Sequence, residues 1–310
     1  MRPALRRELS FFTGFAALGL FAARRKELAY GIGLAALALR FLPPREPYSF
    51  GGRAVVITGG SRGLGFAMAT EFLREGARVS LLARDAAELK RAERRLGKIP
   101  GARVLSFVCD VTHPEELRHA IEETHRRFGR IDILVNNAGS IAMAPFESME
   151  PIDFEALMDI YLHAPVQAAR LVLPYFRRQG GGRILNIGSM GAKIPVPHMS
   201  SYCAGKFALD GFAGVLGIEL ARENILVTTV HPGLMRTGSH VQAVFKGDQE
   251  KEFAWFASSG LMPGLSMDAS RAARKILECL RRGVAEAMIS LPAKAGHFVN
   301  AFFPETFRSV

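Results

Sequence analysis

Tyr202 and Lys206 are a pair of side chains whose types and spacing could do chemistry together. Their i,i+4 spacing places both on one face of a helix. A phenol with a pKa of about 10 exchanges protons poorly at neutral pH. A nearby ammonium favours the phenolate and lowers that pKa toward the working range, so the phenol could then exchange a proton with a bound molecule. Alone, such a pair is usually two surface residues, so the surrounding elements decide its meaning.

The first element that must position such a site is a glycine-rich turn, TGGSRGLG at residues 58–65. The run RAVVIT before it predicts a strand, the run FAMATEFLREGA after it predicts a helix, and RVSLLA predicts a second strand, which together make a βαβ unit. Glycines there allow a tight turn and close backbone approach to a pyrophosphate at the helix N-terminus. The predicted dinucleotide contacts in this turn are Gly59, Ser61, Arg62, Gly63, Leu64 and Gly65.

The end of the second strand indicates which dinucleotide binds. No carboxylate stands there to accept the 2′-hydroxyl of the adenosine ribose, and Arg84 follows the strand immediately. A guanidinium suits a 2′-phosphate, and Arg62 could approach the same group. The two cations predict NADP rather than NAD. The alternative is that Arg84 only begins a helix, for which Asp85 is the predicted N-cap.

Further strand and helix runs complete the predicted fold. RVLSFVCDV, PEELRHAIEETHRRFG and IDILVNNAG continue the alternation, and VAEAMIS predicts a seventh strand. Continuous apolar strands are typical of a parallel sheet covered on both faces. We therefore predict an α/β fold: a Rossmann-type, doubly wound, seven-stranded parallel sheet over residues 48–291, after an apolar helical segment at 1–47 and before an aromatic tail at 292–310. Asp110 and Asn136 follow strands at the carboxyl edge, where such sheets bind ligands.

These spaced motifs resemble the short-chain dehydrogenase/reductase family in its TGxxxGxG form. The match covers about residues 50–290 and includes CDV at 109–111, NNAG at 136–139, Ser189, YCAGK at 202–206 and HPGLMRT at 231–237. The resemblance implies that Tyr202 is the general acid or base, that Ser189 hydrogen-bonds the carbonyl oxygen, and that Lys206 also binds the nicotinamide ribose. It also implies cofactor contacts from Asp110, Val111, Asn136, Ala138, Gly139, Pro232, Gly233 and Thr237.

One position departs from the family pattern. Relatives commonly carry an asparagine that supports a water chain to the active-site lysine, and Tyr161 stands at that position here. Two interpretations stay open: Tyr161 supplies a hydroxyl to the same relay, with His163 nearby, or its ring fills the space.

The N-terminal segment, residues 1–47, combines apolar runs with basic residues. Apolar runs at residues 9–23 and 28–39 flank a basic cluster at Arg24, Arg25 and Lys26, and prolines end the segment. Each run is shorter than the roughly 18 to 20 residues that cross a bilayer, and neither has a polar face. We predict a monotopic anchor that dips into one leaflet. The alternatives are a helical hairpin packed on protein and a cleaved signal peptide.

Composition excludes several classes of protein. Hydrophobic residues at 49% and charged residues at 22% argue against a disordered or fibrous chain. Three cysteines without a C-x-x-C pair argue against a disulfide scaffold or a structural zinc site, and they favour a reducing compartment. The net charge is +11, but residues 1–45 carry +6 of it and no RNA-binding motif appears, so no nucleic-acid partner is predicted.

From its place in the chain, the segment after Thr237 is expected to cover the bound substrate. It is rich in apolar residues, namely Phe245, Phe253, Trp255, Phe256, Leu261 and Met262. An apolar lid suits a lipophilic substrate. The same rings could equally anchor the lid to its own domain. Phe298, Phe302, Phe303 and Phe307 of the tail could contact a membrane, close the pocket or join a partner copy.

The predicted function is NADP(H)-dependent interconversion of a ketone and a secondary alcohol on a lipophilic molecule, such as a 3-oxo lipid, steroid or retinoid-like compound. The expected location is cytoplasmic, with association to the cytoplasmic face of a membrane, and the family resemblance implies a dimer or tetramer. A polar substrate such as a sugar or polyol is the alternative. A non-catalytic NADP(H)-binding interaction protein is the more distant one.

Overall fold

A seven-stranded parallel sheet forms the centre of the molecule in the computed structural model, which describes residues 9, 12, 13, 16, 26–41, 47–236, 238, 243–261 and 266–309. The strands are β1 Ala54–Thr58, β2 Arg78–Ala83, β3 Arg103–Val108, β4 Ile133–Asn136, β5 Gly182–Ile187, β6 Ile225–His231 and β7 Glu286–Met288. Their order is β3-β2-β1-β4-β5-β6-β7, and every neighbouring pair is parallel. The predicted doubly wound sheet is confirmed, and its chain order reverses between β1 and β4.

Helices connect and cover these strands. They are α1 Lys26–Phe41, α2 Gly63–Arg74, α3 Ala86–Leu96, α4 Pro114–Phe128, α5 Pro151–Met158, α6 Ala164–Arg178, α7 Ser200–Glu219, α8 Gln249–Leu261, α9 Ala269–Arg282, α10 Leu291–Phe302 and α11 Pro304–Arg308. A π-helical turn, Asp159–His163, joins α5 to α6. Asp85 caps α3 as predicted, because its carboxylate accepts a hydrogen bond from the Glu88 backbone N–H at 2.8 Å.

The core lies on the two faces of the sheet. β1, β4 and β6 are buried along their whole length, as continuous apolar strands of a covered sheet should be. On one face, α4 and α6 bury apolar residues against them, and this cluster includes Val56, Ile121, Leu134, Val172, Phe176 and Ile184. The sheet is therefore a rigid support for residues at its carboxyl edge.

Contacts divide the chain into two compact units, residues 1–49 with 281–284 and residues 50–280 with 285–310. In the first unit, α1 exposes four large apolar side chains, Leu28, Tyr30, Leu34 and Leu37. Among the described residues, no helix has both the length and the apolar character to cross a membrane. Apart from residues 9, 12, 13 and 16, the first predicted apolar run lies outside the described residues, as do Arg24, Arg25, Pro43 and Pro44.

The glycine-rich turn between β1 and α2 is tied to the loop after β4. The Thr58 hydroxyl oxygen accepts hydrogen bonds from the backbone N–H groups of Asn137 and Ala138, each at 3.0 Å. The Asn137 amide donates in return to the carbonyls of Thr58 and Gly59, at 2.9 and 3.0 Å. A Cβ atom at Gly65 would lie 2.2 Å from the Gly59 oxygen, so the turn closes only around a glycine there.

Replacing Gly65→Ala should therefore lower the free energy of unfolding by about 3 kcal/mol, because the new methyl group forces the turn away from the Asn137 loop. Urea unfolding measures the change. Gly211→Ala is the matched control, since Gly211 is an exposed helical glycine with open space around it. That control should leave stability unchanged or raise it by up to about 1 kcal/mol. Equal loss in both variants would contradict the close packing at Gly65.

Candidate active site

Ser189, Tyr202 and Lys206 come together at the carboxyl edge of the sheet. Ser189 follows β5 and caps a short 3₁₀ turn, where its hydroxyl oxygen accepts a hydrogen bond from the Gly191 N–H at 3.0 Å. Tyr202 and Lys206 lie on the first turns of α7, and Tyr202 is hydrogen-bonded to Ser189 through their side chains. The structure thus brings the three predicted catalytic side chains into one site.

Lys206 is buried, with 5% of its surface exposed. Its Nζ donates a hydrogen bond to the Ile187 carbonyl at the end of β5, at 2.8 Å. The same nitrogen lies 3.9 Å from the centroid of the Tyr161 ring and 5.8 Å from that of Tyr202. Burial lowers the pKa of Lys206 to about 7, because the ammonium loses its hydration.

The pKa of Tyr202 differs from the expectation drawn from the sequence. Burial raises it to about 12, and the hydrogen bond with Ser189 only partly opposes that rise. The Lys206 ammonium lies nearer to the ring of Tyr161 than to that of Tyr202. Desolvation of the phenolate is the largest cause of this rise, and the protein side chains alone keep Tyr202 protonated at neutral pH.

Tyr161 lies in the π-helical turn and is 3% exposed. Its hydroxyl donates a hydrogen bond to the Ser140 carbonyl, and its ring meets that of Tyr202 edge to face, with centroids 5.6 Å apart. Burial raises the pKa of Tyr161 well above its ordinary value. His163 does not join the site, because its ring is exposed and pairs with Asp159 at 2.7 Å. Of the two interpretations of Tyr161, the geometry favours a ring that fills the space.

The predicted cofactor residues line the same edge. A cleft beside the switch point is bordered by Thr58, Val111, Asn136, Ala138 and Tyr161. Asn136 ends β4 and donates a hydrogen bond from its side chain to Asn186 at 2.8 Å. The positive φ angles of Gly59 and Gly63, +65° and +54°, shape the turn above this cleft.

Arg84 and Arg62, the two cations expected to favour NADP over NAD, are exposed and lie beside acidic side chains. Arg84 lies 3.7 Å from an Asp110 carboxylate oxygen, and Arg62 lies 3.6 Å from Glu88. Burial alone would raise the pKa of Asp110, but hydrogen bonds from Thr112 and the charge of Arg84 hold it below its ordinary value. Glu88, which also accepts a hydrogen bond from Ser61 at 3.1 Å, was missed by sequence reasoning.

The loop after β6 completes the edge. In this loop, a Cβ atom at Gly233 would lie 2.3 Å from the Ser290 hydroxyl oxygen. In the loop after β4, a Cβ atom at Gly139 would lie 2.7 Å from the Tyr161 hydroxyl oxygen. Pro232 accepts a backbone hydrogen bond from Met190 at 3.0 Å, which holds this loop beside Ser189. Thr237 lies outside the described residues.

A partly buried network of ionisable side chains behind Ser189 was also missed from the sequence. His231 is fully buried, with Nδ1 3.0 Å from the Ser189 carbonyl oxygen and Nε2 3.1 Å from Asp210. Lys193 lies 2.6 Å from Asp210 and 2.9 Å from Glu286. Asp210, His231 and Glu286 are close enough to hold a metal ion, but the Lys193 ammonium already contacts both carboxylates. The spacing of Asp210, four residues after Lys206, was an available signal.

Comparison with known proteins agrees with this geometry. The family model for short chain dehydrogenase matches residues 53–246. Oxidoreductase BOA17 of Botryotinia fuckeliana is 33% identical over 243 residues, which cover 78% of this chain and 81% of that protein. A 3alpha-hydroxysteroid dehydrogenase of Mediterraneibacter gnavus is 33% identical over 186 residues, 60% of this chain and 74% of that protein.

Among solved structures, the L-sorbose reductase from Gluconobacter frateurii, complexed with NADPH and L-sorbose, is similar with a TM-score of 0.69 and 28% identity, over 78% of this chain and 97% of that chain. The family model alone spans more than half of the sequence. The chain therefore belongs to the short-chain dehydrogenase/reductase family of oxidoreductases, whose fold binds a nicotinamide cofactor.

Proposed function

We propose that the protein interconverts a ketone and a secondary alcohol with NADP(H), and that Tyr202 moves the proton. The observation that carries this proposal is the convergence of Ser189, Tyr202 and Lys206 at the carboxyl edge, next to the glycine-rich turn. The residues present fit a dinucleotide, because the glycines leave bare backbone at the N-terminus of α2 beside a cleft.

The side chains have separable roles in this mechanism. The glycine-rich turn, Asn136 and Arg84 would hold NADP(H), which would supply or accept a hydride when bound. The Ser189 hydroxyl holds the substrate oxygen, and Tyr202 donates its proton to that oxygen in reduction or accepts it in oxidation. The Lys206 ammonium lowers the free energy of the phenolate that forms in reduction. Because the protein keeps Tyr202 protonated at neutral pH, the side chains favour the proton-donating direction.

The lid supports a lipophilic substrate. Phe245 and Phe256 pack on a small apolar cluster that contains Met199 and Cys203 and contacts Tyr202, so the space beside the phenol is apolar. Phe253 and Trp255 of α8 are 44% and 47% exposed and could receive apolar substrate surface. Met262 and the side chain of Leu261 lie outside the described residues. The similarity to L-sorbose reductase favours the alternative, a polar substrate.

Tyr202→Phe should lower kcat/KM for ketone reduction about 10³-fold, because the proton donor is lost while the ring remains. NADPH oxidation across matched panels of lipophilic and polar ketones measures both rate and substrate class. Tyr175→Phe is the control, since Tyr175 lies on α6 and contacts His125 and Arg178 instead of the site. Turnover of polar ketones alone would reject the lipophilic substrate, and an active Tyr202→Phe enzyme would reject the mechanism.

The preference for NADP rests on Arg84 and Arg62. Arg84 is 73% exposed and adjacent to the carboxyl end of β2, so its guanidinium is available to a 2′-phosphate at the cost of a long contact to Asp110. Glu88 is the opposing group, because its carboxylate contacts both Ser61 and Arg62 and would repel that phosphate. The arrangement supports NADP with Arg84 as the principal contact.

Arg84→Ala should weaken NADPH binding roughly tenfold and leave NADH binding nearly unchanged, because only NADPH carries the 2′-phosphate. Cofactor fluorescence titration measures both dissociation constants. Arg94→Ala, at an exposed position near the end of α3, should change neither constant. Parallel weakening of NADPH and NADH in Arg84→Ala would mean that Arg84 does not select the cofactor.

Membrane association is a separate proposal that concerns α1. Its exposed side chains include Leu28, Leu34 and Leu37, which are 58%, 67% and 52% exposed. Transfer of such surface into a leaflet is favourable, and adjacent basic residues suit anionic headgroups. The anchor, and the division of the chain at residues 47 and 291, stay predictions.

Flotation with anionic vesicles tests the anchor on the full chain. The unmodified protein should float with the vesicles, and a Leu34→Glu/Leu37→Glu variant should remain in the dense fraction, because two carboxylates on α1 oppose insertion. A Phe146→Glu variant, which adds one exposed carboxylate in the second compact unit, is the control. Unmodified protein that stays in the dense fraction would reject the anchor.

The dimer or tetramer implied by the family also stays a prediction. Phe207, Val215 and Ile218 of α7 are exposed apolar side chains that would suit a second copy of the chain. Light scattering measures the molar mass of the protein in solution. A monomeric mass at the concentration of the activity assays would contradict the predicted oligomer.

A further inference from the structure

The Lys206 ammonium is buried without a carboxylate partner. Among the residues that the structure describes, no acidic side chain forms an ion pair with it, and its hydrogen bond goes to the Ile187 carbonyl. The face of the Tyr161 ring also lies close to the charge, with its centroid 3.9 Å from Nζ. A buried cation above an aromatic face is attracted by the negative potential of the ring.

We propose that Tyr161 is a positioning residue whose ring face binds the Lys206 ammonium and whose position also sets the place of the Tyr202 ring. The inference rests on the proposed function of Tyr202 and Lys206 and adds a part to it. The ring would thus take over, by a different interaction, the support that an asparagine commonly gives this lysine in the family. The aromatic face, rather than the hydroxyl, is the part that acts.

The hydroxyl of Tyr161 is already engaged in a hydrogen bond. Its one proton is donated to the Ser140 carbonyl, so it is not available to a proton relay through Lys206. This bond, together with the π-helical turn that carries Tyr161, fixes the plane of the ring. The edge-to-face contact with Tyr202, at an interplanar angle of 90°, then fixes the two rings relative to each other.

Two glycines make room for this ring. A Cβ atom at Gly139 would lie 2.7 Å from the Tyr161 hydroxyl oxygen, and a Cβ atom at Gly205 would lie 2.9 Å from Cδ2 of the same ring. Both distances are too short for a real contact, so the backbone on two sides is built to accept a tyrosine. Gly205 is adjacent to Lys206 in sequence, which brings the ring directly under the ammonium.

Few other titratable groups face Lys206. Tyr202 lies on the same helix, with its ring centroid 5.8 Å from Nζ, and Tyr161 faces it from the π-helical turn. Asp210 lies one turn further along α7, where Lys193 and His231 engage its carboxylate. From β5, the Ile187 carbonyl accepts the hydrogen bond of the ammonium. A change in the charge on the ring face of Tyr161 should therefore act on Lys206 with little compensation.

The test changes the electron density of the ring at nearly constant shape. Phenylalanine and 3,5-difluorophenylalanine are placed at position 161 in the full chain, and Tyr161→Leu removes the ring. The titration of Lys206 is followed by NMR of lysine labelled with ¹³C at Cε, with the signal assigned by its absence in Lys206→Arg. NADPH binding by each variant confirms that the site is folded.

In the Tyr161→Phe protein, Lys206 should titrate near pH 7, as it does in the unmodified protein, because the ring face is retained. Difluorophenylalanine should lower the midpoint by about one pH unit, and Tyr161→Leu by at least as much, since the charged form loses its partner. The same fluorinated residue at position 175 should have no effect. In alcohol oxidation, the rising limb of kcat/KM should move to higher pH in the same two variants, because the phenolate loses support.

Identical Lys206 titration in the phenylalanine and difluorophenylalanine proteins would overturn the inference, even if the enzyme turns over normally. A change that appears in Tyr161→Phe instead would assign the role to the hydroxyl and also overturn it. If the unmodified protein shows no turnover while the Lys206 midpoint still shifts, the proposed function fails and the ring-to-ammonium interaction stands. If Tyr161→Leu does not fold, the two shape-matched rings decide alone.

Discussion

A buried ammonium with no carboxylate partner among the described residues is the constraint around which the carboxyl edge of this sheet is arranged. Removing a charge from water is costly, and that cost is reduced only by groups placed to face it. Here the end of β5 gives the Ile187 carbonyl and the π-helical turn gives the face of Tyr161. The bare backbone at Gly139 and Gly205 follows from the same need, because any side chain there would displace the ring.

Two further networks join the loops at this edge of the sheet. Thr58 and Asn137 join the glycine-rich turn to the loop after β4 through four hydrogen bonds. His231 links the Ser189 backbone to Asp210, and Lys193 joins Asp210 to Glu286. Charged groups that are already paired do not need to reorganise when charge develops at the substrate oxygen. The site is thus held by hydrogen bonds and ion pairs at the ends of the strands.

The sequence was sufficient for the parts of this structure that depend on local pattern. Five of the seven strands follow from the runs RAVVIT, RVSLLA, RVLSFV, IDILVN and VAEAMIS, and the full count of seven came with the family resemblance. Asp85 caps α3 because it precedes a helical run, and Tyr202 and Lys206 share a helix face by spacing alone. The partner of Lys206 was not predictable, because it depends on the orientation of Tyr161, which the Ser140 carbonyl and two distant glycines determine. Glu88 and the His231 network were missed for the same reason, since their contacts join residues far apart in the chain.

Burial acts in opposite directions on the pKa values of Tyr202 and Lys206. It raises the pKa of Tyr202 to about 12 and lowers that of Lys206 to about 7, so the lysine loses its proton before the phenol does. The phenolate beside an ammonium is then the less stable arrangement of the pair, and the protonated phenol is the resting one. Phe245 and Phe256 pack on the apolar cluster of Met199 and Cys203 beside Tyr202 and add to this burial. Any interaction that stabilises the ammonium, as the Tyr161 ring does, raises the pKa of Lys206 and makes the phenolate easier to form. The strength of that one contact therefore sets how readily the site changes from donating a proton to accepting one.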